Sequence, residues 1–273
     1  MMKLFVRQVL NLFNSILIRT DKRTFALLFN IKTLLTLKSS RISWSKNYFV
    51  VIDKELPGFK YKIRHQKQCN DAYSGGIFQR AINLGKAYLL HNIEFREGDI
   101  VIDCGANVGD LKLWFDFNHH KITYIGFEPS PEEFQALEQN VFPSEVHNIG
   151  LWNKKEHMEF YISSQGADSS FISPSKFSEV KRIDAMPLED FVNQNIKLLK
   201  IDAEGAEPEV IEGLGKKIKN IEYISADLDF ERGSNQLSTL APVTNYLLQN
   251  GFEIVDFSFD RICVLYRNKY FKN

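Results

Sequence analysis

The run Ile100-Val-Ile-Asp-Cys-Gly-Ala-Asn-Val-Gly109 constrains the fold of this chain more than any other stretch. Three apolar residues lead into a carboxylate, and glycines follow at 105 and 109. The pattern predicts a buried strand, a tight turn and a helix that opens with free backbone N–H groups. A second apolar run, Ile122 to Phe127, ends at the acid Glu128. A buried strand, a glycine-rich turn and an acid at the next strand tip together form a nucleotide-type cofactor site.

The glycine spacing then restricts the cofactor. Gly105 and Gly109 stand four apart, and Asn107 occupies the place of the middle glycine in a dinucleotide fingerprint. Without that glycine a pyrophosphate cannot approach the backbone closely, and Asp103 would repel it. Asp103 suits a cationic or hydroxyl-bearing ligand instead. No Lys-Ser/Thr pair follows, which excludes a P-loop. An NAD-linked oxidoreductase would share the fold but is disfavoured by this spacing.

From residue 98 onward strands and helices alternate. Strands are expected at 100–104, 122–127, 145–149, 198–202, 223–227, 253–259 and 262–266. Helices fit at 109–118, 131–140, 187–193, 206–215 and 237–250. Pro131 suits a first helical turn. Only Phe259, Asp260 and Arg261 separate the last two strands, so they should pair as an antiparallel hairpin. The expected fold is α/β and Rossmann-like: seven strands, mostly parallel, with a C-terminal hairpin. Three segments are expected: a basic helical extension over 1–46, a small strand pair and helix over 47–94, and the main domain over 95–273.

The quoted elements resemble the class I S-adenosylmethionine-dependent methyltransferases, and among them the FkbM family. Over roughly 95–257 the resemblance rests on Gly98 to Gly109, Gly126-Phe-Glu-Pro-Ser130, Leu199-Lys-Ile-Asp-Ala-Glu-Gly-Ala-Glu207 and Val210-Ile-Glu-Gly213. It implies S-adenosylmethionine as cofactor. Asp103, Gly105, Asn107 and Gly109 would then surround its amino-acid end. Glu128, with Pro129 beside it, would take the ribose hydroxyls, and Asn148, Gly150 and Leu151 would flank the adenine. A strand-tip carboxylate can accept from two vicinal hydroxyls, which agrees with the role implied for Glu128.

Methyl transfer from a sulfonium needs alignment and, for an alcohol, a proton acceptor. Asp202 ends the fourth strand, where open sheets bind ligands. It is the first candidate for proton acceptance or orientation, and Glu204 is the second. Glu204 has a structural alternative, accepting backbone N–H groups at the Gly205 turn, and Glu207 is expected to brace the helix that follows. Asp227 and Asp229 end the fifth strand and are candidate acceptor contacts, although two aspartates depart from the single glutamate expected there. Tyr73, Ser170 and Arg232 are further acceptor candidates. Two uses of the acids stay open: a general base with hydrogen-bond acceptors for a polyhydroxyl substrate, or a Mg²⁺ site. No metal ligand is assigned.

The reading is O-methylation of a sugar, glycan or glycolipid hydroxyl. The rivals are a non-carbohydrate natural-product acceptor, an N- or protein-directed methyltransferase, and a non-enzymatic scaffold. The chain of 273 residues has zero formal net charge, which gives no drive toward nucleic acid. Residues 1–46 nevertheless carry nine basic side chains against one acid, Asp21. They read as two amphipathic helices, with Phe5, Val9, Leu12, Phe13, Ile16 and Leu17 on one and Phe25, Leu28, Phe29 and Leu35 on the other. Thr20 or Asp21 caps the second. Such a segment covers the protein's own core, joins two copies or lies on an acidic membrane. The scattered cysteines Cys69, Cys104 and Cys263 favour a reducing compartment. The expected location is cytoplasmic, with a peripheral contact on the inner membrane face as the alternative.

Overall fold

The computed structural model describes residues 13–163, 168–259 and 261–272. Phe5, Val9 and Leu12 of the expected first helix lie outside these residues. The chain divides into two compact units, residues 1–80 and 81–273. The sequence expectation was three segments, 1–46, 47–94 and 95–273.

In the first unit, helix α1 (Lys22–Leu35) starts at Asp21, whose carboxylate accepts from the N–H groups of Arg23 and Thr24. This satisfies donors that a helix start leaves without partners. An antiparallel sheet follows: β1 (Ser40–Ser45), β2 (Tyr48–Asp53) and β3 (Lys60–Ile63). The sequence pointed to two strands here. β1 escaped notice because its only large apolar residues, Ile42 and Trp44, stand among three serines and an arginine. Phe25 meets Phe49 edge to face at 5.0 Å between ring centroids, so α1 and β2 share one core across residue 46. Helix α2 (Gln66–Tyr73) follows, and α3 (Ile77–Ala87) begins in this unit and continues beyond residue 80. The buried Asp53 accepts the Ile77 N–H at the start of α3.

The second unit is built on β4 (Ile100–Cys104), β5 (Thr123–Phe127), β6 (Glu145–His147), β10 (Ile196–Ile201), β11 (Ile221–Asp227), β12 (Phe252–Ser258) and β13 (Cys263–Asn268). Their order across the sheet is β12-β13-β11-β10-β4-β5-β6. β4, β5, β6, β10 and β11 run parallel, and β13 and β12 close the sheet as an antiparallel pair. All five residues of β4 are buried. A strand covered on both faces must be almost wholly apolar, which is why this run was legible. Ile102, Leu199, Ile201, Ile224, Val210 and Leu247 belong to the main core.

Helices α4 (Lys112–Phe117), α5 (Pro131–Asn140), α6 (Glu207–Glu212) and α7 (Leu240–Gln249) lie within the expected spans. The expected helix at 187–193 does not form. Only a 3₁₀ turn stands at 188–190, and the preceding chain is extended. β7 (Gly150–Trp152), β8 (Glu156–Ile162) and β9 (Glu179–Pro187) make a separate three-stranded sheet, ordered β7-β9-β8. Its inner residues, Phe160, Ile162, Ile183 and Ala185, pack with Trp152, Phe171 and Ala206. Among the described residues no helix is long and apolar enough to cross a membrane.

Candidate active site

Parallel pairing sets Cys104 beside Phe127 and Ile201, so the segments after β4, β5 and β10 leave one sheet edge together. After β4 the chain turns through left-handed conformations at Gly105 (φ 71°), Asn107 (φ 49°) and Gly109 (φ 83°). Gly105 is required by packing as well as by φ: a Cβ there would lie 1.9 Å from the Asp202 carbonyl oxygen. Glu128 folds back on this turn. One carboxylate oxygen accepts the Asn107 N–H and the other the Ser130 N–H, each at 2.8 Å. Burial, with Glu133 nearby, pushes the Glu128 carboxyl up to about 8. Asn148 donates to the carbonyls of Glu128 and Pro129, fixing the loop after β5.

Other residues expected at the cofactor are enclosed. Asp103 is fully buried, taking the Tyr124 hydroxyl at 2.6 Å and the Lys200 ammonium at 2.9 Å. These two groups are its partners within the protein. Lys200 also donates to the carbonyls of Cys104 (3.2 Å) and Gly105 (2.9 Å). Burial lowers the proton affinity of Lys200, but Asp103 and Asp202 outweigh it and hold the ammonium charged. Gly150 has a packing reason, since a Cβ there would lie 2.0 Å from the Phe171 ring. Leu151 is part of the main core.

On the neighbouring strand tips, Asp202 accepts from the Tyr88 hydroxyl (2.5 Å) and the Arg261 guanidinium (3.3 Å). Burial raises its carboxyl, but Arg261, Lys200 and Tyr88 together leave it below the usual range. Arg261 also pairs with the buried Asp227. Burial and Asp202 push Asp227 up to about 6. Glu207, not Glu204, supplies the turn's acceptor. One of its oxygens takes the N–H groups of Ala203 and Gly205, and the other takes the Thr239 hydroxyl.

A cavity of about 360 Å³ opens beside this edge, lined in part by Ser170, Lys176, Phe177, Glu204, Phe230 and Glu231. The Ser170 hydroxyl donates to the Glu204 carbonyl at 2.7 Å. Three expected acceptor contacts have partners within their own surroundings. The Arg232 guanidinium clamps both oxygens of Glu209 and the Gly205 carbonyl, so it braces the turn and does not reach the cavity. Asp229 turns back to accept the Phe230 N–H. Tyr73 belongs to the first unit and is buried against Tyr61. Glu231, Phe177 and Phe230 were not legible as site residues, because loops carry no periodicity. Lys200 did leave a signal: a charge inside a buried strand demands a partner.

Asp202, Asp227 and Glu231 bring carboxylate oxygens within 4.8 Å of one another, a spacing that suits a divalent cation. Arg261 already stands among them, paired to two of the three. The guanidinium supplies the positive charge there, and these residues do not fit Mg²⁺.

Sheet order, glycine turn and strand-tip acids define a Rossmann-like class I methyltransferase fold. Within that class the chain belongs to the FkbM family: the family model described as Methyltransferase FkbM domain matches residues 103–254. A 31-O-demethyl-FK506 methyltransferase from Streptomyces tacrolimicus is 43% identical over 61 residues, 22% of this chain and 24% of that protein. Methyltransferase 1 of Beauveria bassiana is 25% identical over 153 residues, 44% of this chain and 60% of its own length. The matches therefore span less than two thirds of either relative. Among solved structures, methyltransferase FkbM from Methylobacillus flagellatus KT is similar with a TM-score of 0.46 at 19% identity, over 64% of this chain and 44% of that one.

Proposed function

We propose that the chain is an S-adenosylmethionine-dependent O-methyltransferase acting on a hydroxyl of a sugar, glycan or glycolipid. The observation that carries this reading is one sheet edge holding two features. The Gly105–Gly109 turn, with Glu128 latched onto it, is suited to the donor. A polar cavity with two phenyl rings on its lining lies next to Glu204 and is suited to a polyol. Sugar rings place apolar faces on aromatic side chains and hydroxyls on carboxyls. The hydroxyl target is further supported by the relative whose name specifies a 31-O-demethyl acceptor.

Glu128 binds the ribose hydroxyls, while Lys200 and Asp103 hold the turn that meets the amino-acid end. An acceptor oxygen attacks the methyl carbon in line, the carbon–sulfur bond breaks, and its electron pair stays on sulfur. Asp202 is engaged by Tyr88 and Arg261, so it orients the edge, and proton acceptance falls to a carboxyl of the cavity lining. No metal enters this reading.

Calorimetry with S-adenosylhomocysteine, with and without EDTA, tests it. Micromolar binding that chelation leaves unchanged is expected. Absence of binding would reduce the reading to a statement about fold. A lipid-linked acceptor is favoured over a free one by α1, which carries apolar residues on its solvent face within a strongly basic segment.

A further inference from the structure

The acids at the carboxyl edge fall into two groups. Asp103, Asp202, Glu207 and Asp227 each hold a cation, a hydroxyl or backbone N–H groups. Glu204 and Glu231 line the cavity, and no hydrogen-bond donor among the described residues holds either carboxyl. Glu231 differs from Glu204 in position. It reaches the cavity and also sets a carboxylate oxygen within 4.8 Å of those of Asp202 and Asp227. It therefore joins the acceptor space to a buried cluster of excess negative charge.

Resting on the O-methyltransferase reading, we propose that Glu231 is the residue that takes the proton from the acceptor hydroxyl. In the balanced step the acceptor oxygen forms the bond to the methyl carbon as the carbon–sulfur bond breaks. The O–H proton passes to the ionised Glu231 carboxylate, leaving S-adenosylhomocysteine, the methyl ether and a neutral Glu231.

The surroundings suit that task. Asp202 and Asp227 face Glu231 from two strand tips, Glu204 and Glu207 from the segment after β10, and Arg261 from the hairpin turn. Asp168 and Lys176 complete the charged lining of the cavity. Burial first, then Asp202 and Asp227, push the Glu231 carboxyl up to about 8, with Arg261 opposing. A base with proton affinity near the working pH is effective, because it is partly ionised yet accepts a proton readily. Glu204 is pushed well above the usual carboxylate range by burial and by Asp202, Glu231 and Asp168. Asp202 is held ionised by Arg261 and binds a proton weakly.

The test uses the full chain saturated with S-adenosylhomocysteine and labelled with ¹³C at glutamate carboxyls. Two carboxyls should titrate near pH 8, those of Glu128 and Glu231, and one of the two should vanish in Glu231→Gln. With S-adenosylmethionine and methyl β-D-glucopyranoside as probe acceptor, the wild-type rate should rise through the same pH range. Glu231→Gln should lower kcat by on the order of 100-fold with KM for the donor unchanged, and Glu231→Asp should recover part of it. Titration of Glu231 in the ordinary glutamate range overturns the proposal, whether or not the probe is methylated. So does a Glu231→Gln variant that keeps the wild-type rate and pH profile. Failure of S-adenosylhomocysteine to bind overturns the underlying reading instead, so the two failures are distinct.

Discussion

Lys200 sits in a strand of apolar neighbours, directly in register with Asp103 on β4. Neither residue explains itself alone. A buried lysine needs a counter-charge, and a buried aspartate two residues before a glycine turn needs to be held. Held by Asp103, Lys200 pins the carbonyls of Cys104 and Gly105, the first part of the turn proposed to meet the donor. Removing one partner of a buried pair leaves an uncompensated charge and costs about 3–5 kcal/mol. Lys200→Met should therefore lower the thermal midpoint sharply and weaken S-adenosylhomocysteine binding. Pairing it with Asp103→Leu should restore much of the midpoint but not the affinity. Thermal melts and calorimetry on the single and double variants read both effects, and a single variant as stable as wild type would refute the bracing role. The sequence made the glycines and acids of this site visible as a pattern, but their reasons needed neighbours distant in the chain. Gly105 answers to Asp202, Gly150 to Phe171, and Glu128 to the Asn107 and Ser130 amides.

At the scale of elements, legibility followed burial. The seven strands of the main sheet are long apolar runs or lie beside one, and their places were clear. The β7-β9-β8 sheet was not, because β8 and β9 carry charged residues without strict alternation, as at Glu156 and Glu159 or at Lys181 and Arg182. Helix α1 shows the opposite problem. Its buried face holds Phe25, Ala26, Phe29 and Thr33. On the far side Leu27, Ile31 and Leu34 are 62%, 43% and 59% exposed, at spacings of four and three residues. Leu35, placed on the apolar stripe from sequence, is also exposed. A helix apolar on both sides is not finished by the contacts of its own unit. The excess of eight positive charges over residues 1–46 matches an anionic bilayer, and an interfacial helix combines these two properties. The chain should co-sediment with phosphatidylglycerol vesicles and not with phosphatidylcholine vesicles. Leu27→Ser, Ile31→Ser and Leu34→Ser together should release it without changing its melting curve. Equal behaviour toward the two lipids would remove charge complementarity as the reason for this face.

For the whole molecule, the gathering of acids at one edge has a consequence for stability. In the folded chain the carboxyl of Asp227 is pushed up to about 6, Glu207 to about 7, and Glu128 and Glu231 to about 8, burial being the first cause of each. Their ordinary values are 3.8 for aspartate and 4.5 for glutamate. The fold therefore binds these protons more tightly than the unfolded chain does. The stability they contribute is complete below the unfolded values and is lost as pH rises through 6 to 8. Asp202 acts in the reverse sense, because its lowered carboxyl contributes stability above its unfolded value and loses it only on acidification. The raised acids of this edge outnumber the lowered Asp202, so the thermal midpoint should fall between pH 5.5 and pH 9. The Glu128→Gln variant cannot ionise at that position and should show a shallower fall. The same substitution leaves one of the Asn107 and Ser130 amides without its carboxylate, so its midpoint at pH 5.5 should lie below wild type. Melting curves across this pH range distinguish the cases. A flat profile for the wild-type chain would mean that the edge is ionised throughout and that these carboxyls are solvated more fully than their burial implies.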